Sequence, residues 1–106
     1  MKRGAKPQGT DNVLENLGFE DAAELSVKAA LAFKFNTLID ARGFSQMEAA
    51  VLTGMNQPKV SQIRHYKLQN ISLERLMQAL VSLNQRVEIV VQPARRSQVA
   101  AITVAA

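Results

Sequence analysis

Apolar positions recur along this chain with more than one period, and each change of period predicts a change of structure. Leu31, Phe35, Leu38 and Ile39 return at helical spacing in a stretch that Asp21 and Glu24 open as a capping box and Gly43 closes. The expectation is a long helix from Asp21 to Arg42. Before it, Val13, Leu14, Leu17 and Phe19 form a short apolar cluster ending at Gly18, which reads as a small clip docked on the body. A third stripe, Leu73, Leu76, Met77, Leu80 and Leu83, is capped by Ser72 and stopped at Asn84. Beyond it the pattern turns to a β-branched run, Val87 to Val91, bounded by Pro93. That run predicts a strand, and a lone strand needs a partner. It can form a hairpin with Val99–Val104 through Ala94–Ser97, or pair with the same strand of a second copy.

Between the long helix and the third stripe lies the most tightly punctuated segment, Ser45 to Lys67. Ser45 with Glu48 three residues on is a second capping box, so a helix starts at Gln46. Gly54 follows its last turn, where a left-handed residue is needed, and ends it. Asn56 then caps another helix, with Pro58 in its first turn, where a missing N–H costs nothing. Ala50 is small enough for a close helix crossing. Val60 and Ile63, at i and i+3, face inward and lock the second helix down. Gln57, Lys59, Ser61, Gln62, Arg64 and His65 are left facing out. Amides, a hydroxyl and cations with hardly a carboxylate suit the donors and acceptors of a DNA major groove.

These residues resemble the helix-turn-helix of the Cro/C1-type (XRE) repressor family: Gln46 opening the first helix, Ala50 at the crossing, Gly54 in the turn, Gln57 opening the recognition helix, Val60 and Ile63 behind it. The spacing matches without a gap. The order of elements from Asp21 to Gln92 is similar to the small HigA-like antitoxin branch of that family. The resemblance implies a mainly α, lambda-repressor-like helical bundle over residues 13–84 with its motif at 45–67. It also implies a repressor that reads an inverted-repeat operator with helix 57–66 in the major groove. Because such proteins read paired half-sites, strand pairing across a two-fold axis, as a homodimer, is favoured over the hairpin. Residues 85–106 would then be the dimerisation segment. The antitoxin branch implies a RelE/HigB-like toxin as partner. The competing readings are a stand-alone phage-type regulator and a protein-interaction adaptor that has reused the motif.

Composition narrows the alternatives. At 106 residues the chain has room for one modest core. Without cysteine there is no disulfide framework or thiolate metal site. No apolar run reaches the roughly 18 residues of a membrane span, and Met1 to Gly9 lacks the core of a signal peptide, so a cytoplasmic chain is expected. Residues 1–12, rich in Gly, Pro and Lys, read as a disordered basic arm. Net charge is +4, and the surplus lies in the second half, since the signs cancel up to Phe44. His65 is the single histidine, with no partner in sequence reach, so neither an enzyme, a metal site nor a cofactor is expected.

For double-stranded DNA the roles follow from side-chain chemistry. Gln57 and Gln62 can each pair bidentately with adenine, Lys59 can read guanine or hold a phosphate, and Pro58 can touch a thymine methyl. Gln46, Arg64, His65 and Lys67 are expected on the backbone, while Asn56 and Ser61 border the same face. Gln69 and Arg75, near the start of the following helix, lie within reach of the backbone. Arg95 and Arg96 read as a solvated turn.

Overall fold

The computed structural model describes residues 13–95 and 101–105, with the backbone alone for residues 13–21. Its helices are α1 (Val13–Arg42), α2 (Gln46–Thr53), α3 (Gln57–Arg64) and α4 (Leu73–Ser82). α1 packs on α3 and α4, and α2 packs on the same two helices.

α1 corrects the reading of the N-terminal third. The clip ending at Gly18 and the separate helix opening at Asp21 are one continuous helix of 30 residues. An isolated glycine costs a helix only about 1 kcal/mol relative to alanine. A stop requires more, namely a left-handed residue, and the glycines with positive φ are Gly43 and Gly54. The basic arm proposed for residues 1–12 lies outside the described residues.

The core follows the predicted stripes and extends them. Phe35 and Ile39 of α1, Ala49 and Ala50 of α2, Val60 and Ile63 of α3, and Leu76 and Leu80 of α4 are buried together. Each large side chain there contributes roughly 1.5–3 kcal/mol through burial. The connections add Met55, Leu68 and Ile71, so the loop after α3 is pinned by apolar contacts rather than left free. Phe44 packs partly against this core from the bend between α1 and α2.

From the end of α1 onward the helix ends fall where the punctuation placed them. The Ser45 hydroxyl accepts from the Glu48 N–H at 3.0 Å while the Glu48 carboxylate accepts from the Ser45 N–H at 2.8 Å. Asn56 Oδ1 accepts from the Lys59 N–H at 2.9 Å, and Ser72 Oγ accepts from the Arg75 N–H at 3.0 Å. Gly54 sits at φ +73° with open space where a Cβ would go. Gly54→Ala should therefore cost only the backbone term, about 1–2 kcal/mol, seen as a lower melting temperature with no change in helix content. A cost well above that range would mean hidden crowding at the turn.

No strand forms among the described residues. Val87 and Val104 pack partly against the core, whereas Ile89, Val90 and Val91 stand exposed. The strand expected at Val87–Val91 is thus not shown in the single chain, nor is a hairpin with Val99–Val104, of which residues 99 and 100 lie outside the described residues. The physical reason is the one that made a partner necessary: a β-branched run gains nothing from an extended shape until a second edge pairs its N–H and C=O groups.

Candidate nucleic-acid interface

α3 is mounted on the body by its inner edge. Val60 and Ile63 are fully buried, and the outer edge of the first turn, Asn56, Gln57 and Pro58, is exposed. His65 and Lys67, just past the helix, are exposed as well, and Gln46 at the start of α2 is half-buried. Cap, proline and buried edge together hold the first turn of α3 in one pose while leaving its side chains to solvent.

Of the two glutamines assigned to base reading, Gln57 is placed to present a whole amide. Gln62 is half-buried, and its side-chain oxygen is enclosed without a hydrogen-bond partner among the described residues. Bidentate pairing with adenine needs the amide oxygen and nitrogen together, so Gln62 must change rotamer before it can read a base.

Several of the cations assigned to phosphates are held by the protein itself. The Arg64 guanidinium turns back on α1, where Nη2 meets Asp40 Oδ1 at 2.6 Å and Nη1 donates to Asn36 Oδ1 at 3.1 Å and to the Asn36 carbonyl at 3.2 Å. Lys59 Nζ donates to the Asn70 carbonyl at 2.9 Å, folding the loop after α3 back along the first turn of the helix. Arg75 donates to the Thr53 carbonyl at 3.5 Å and to Gln78 at 3.4 Å. His65 Nδ1 lies 2.8 Å from the Ser61 carbonyl and 3.4 Å from the Ser61 hydroxyl. A carbonyl only accepts, so Nδ1 is the donor in this contact and is taken up within the chain.

The sequence reading passed over the residues that grip α3 from behind. Asn36, buried in the apolar stripe of α1, donates through Nδ2 to the Ile63 carbonyl at 3.1 Å. Eight residues earlier Lys28, also buried, donates to the Leu68 carbonyl at 3.2 Å and pairs with Glu24 at 3.2 Å. The available signal was a lysine and an amide interrupting a helical stripe, each spaced to face the same neighbour as Leu31 and Phe35.

A small helix bearing an exposed polar turn, locked at a glycine-ended elbow against a capped partner helix, defines the chain as a helix-turn-helix domain. Residues 13–92 match the family model described as "Helix-turn-helix domain". A solved structure named "Putative XRE Family Transcriptional Regulator" is 49% identical, with 81% of this chain and 98% of that chain covered and a TM-score of 0.76. No curated protein matches the chain. The chain belongs to the XRE-type helix-turn-helix family and is a DNA-binding transcriptional regulator. No helix among the described residues is long and apolar enough to cross a membrane.

Proposed function

We propose that the chain is a homodimeric repressor that reads an inverted repeat by setting the first turn of α3 into the major groove of each half-site. The observation that carries this reading is the exposure of Asn56, Gln57 and Pro58 on a turn whose opposite edge is fully buried. A fixed scaffold with free amide groups is what base discrimination requires. The dimer is supported by the exposed β-branched run around Val90, which gains a ladder partner once a second copy lies across the axis. Half-sites one helical turn apart would then place the two α3 helices about 34–36 Å from each other.

The test is selection of duplexes from a random pool followed by substitution. Gln57→Ala should relax preference at one base position by about 1–3 kcal/mol with the salt dependence unchanged, whereas Lys67→Ala should weaken all sequences alike. Unaltered discrimination in Gln57→Ala, or a selected site lacking two-fold symmetry, would remove the proposal.

A RelE/HigB-like toxin as a second partner rests on the family likeness and on one feature of charge. Residues 13–27 carry Glu15, Glu20, Asp21 and Glu24 and no lysine or arginine, which suits a basic protein. Co-purification with the product of an adjacent reading frame, lost at high salt, is the outcome that would support the antitoxin role.

A further inference from the structure

The chain leaves each of its helices through a left-handed residue, and one of those residues is unsuited to the task. α1 ends at Gly43, α2 at Gly54 and α4 at Asn84, all types that tolerate positive φ. α3 ends at Tyr66, with φ +59°. The hydrogen bonds there are those of a complete Schellman stop: the Tyr66 N–H donates to Ile63 O at 3.1 Å, and the Lys67 N–H donates to Gln62 O at 2.8 Å. α4 stops in the same way, Asn84 donating to Val81 O at 2.9 Å and Gln85 to Leu80 O at 3.0 Å. The backbone therefore asks for glycine or asparagine after α3, and the sequence supplies an aromatic ring.

Packing of the ring offsets that strain only in part, and its hydroxyl offsets none of it among the described residues. Tyr66 is 45% exposed, and its hydroxyl makes no hydrogen bond to any described residue. It stands between His65 and Lys67, both exposed, directly past the helix whose first turn faces the groove. A strained residue whose polar end has no partner among the described residues points to a contact made elsewhere.

We propose that Tyr66 is a DNA-backbone contact, its ring lying against a deoxyribose and its hydroxyl donating to a phosphate beside Lys67. This rests on the DNA-binding reading above and adds to it a neutral donor at the far end of α3. A phenol is well suited to that place. It fixes the register of the helix along the duplex without adding charge, whereas Lys67 contributes the charge and the salt dependence. Because a phosphate contact is blind to sequence, a short mixed-sequence duplex at low salt serves as the probe.

Tyr66→Gly separates the two demands on this position. Relief of the left-handed strain should raise the melting temperature by about 4 °C or more. In the same full-length variant, affinity for the mixed duplex should fall about tenfold. Tyr66→Phe keeps the ring and the strain, so its melting temperature should match the wild type while affinity falls about threefold. Neither substitution should alter the slope of affinity against salt, whereas Lys67→Ala should lower that slope by about 0.9. Wild-type affinity in Tyr66→Gly overturns the proposal and leaves the ring to a protein contact. Should Tyr66→Gly fold poorly, wild-type affinity in Tyr66→Phe removes the phosphate contact on its own. A wild-type chain that binds no duplex at low salt would sink the DNA-binding reading itself, an outcome distinct from either.

Discussion

Phe35→Ala should unfold much of this protein at growth temperature. Phe35 is fully buried on α1, within the core to which all the helices contribute. Truncating a buried phenylalanine removes the transfer energy of the ring and leaves a cavity, together about 3–5 kcal/mol. Domains of this size hold about 5–15 kcal/mol in all, so the variant loses about a fifth of that margin at the least and all of it at the low end of the range. Thermal unfolding followed by circular dichroism should show a melting temperature lower by more than about 12 °C. DNA binding measured in the cold should persist, because no group facing the duplex has changed. A drop of under about 1 kcal/mol would mean that neighbouring side chains collapse into the space, contrary to dense packing at this point.

Asn36→Leu should have the second largest effect, through hydrogen bonds rather than volume. Leucine closely matches the shape of asparagine yet abandons both of its side-chain bonds: the Ile63 carbonyl loses the amide donor at 3.1 Å and keeps only the Tyr66 N–H, and Arg64 loses one of its three acceptors, at 3.1 Å. Losing a buried and a part-buried hydrogen bond, one of them to a charged group, costs about 1–3 kcal/mol. The salt bridge next to it should matter less. Although Arg64 and Asp40 approach to 2.6 Å, the aspartate side chain is 68% exposed, and such pairs contribute about 0–1 kcal/mol. Asp40→Asn should therefore shift the denaturation midpoint only slightly. Urea titrations of the two variants decide the matter, and a larger loss in Asp40→Asn than in Asn36→Leu would reverse the ranking of carbonyl and charge.

Much of this architecture could be read from the chain before any coordinates. Ser45 with Glu48, Asn56 with Pro58, and Ser72 are local signals whose partners lie within three residues, so their hydrogen bonds follow from spacing alone. The buried pair Val60 and Ile63 followed from helical periodicity in the same way. The misreading at Gly18 came from treating a glycine as a stop without knowledge of its φ, which sequence does not supply. Long-range polar contacts were equally hidden. Nothing near Asn36 in sequence tells that its amide meets Ile63, 27 residues away, and Asp40 entered only as a charge to be balanced. For the face itself, the outward direction of Gln57 and His65 was legible, whereas the inward turn of Gln62 and Arg64 was not, nor was occupancy. Lys59 and Arg64 read as free cations until their acceptors on Asn70 and α1 came into view.

The grip of α1 on its neighbours bears on how this regulator searches a chromosome. Lys28 fastens the loop at Leu68, Arg42 fastens the end of α4 through the Leu83 carbonyl at 2.9 Å, and Arg64 is tied to Asp40. Ammonium and guanidinium groups detained in this way do not displace counter-ions from a duplex, so the sequence-independent attraction falls short of what +4 suggests. Under the docking of α3 proposed above, such a protein would spend little time trapped on random DNA, and its residence at one place would be decided by the exposed amide at the start of α3.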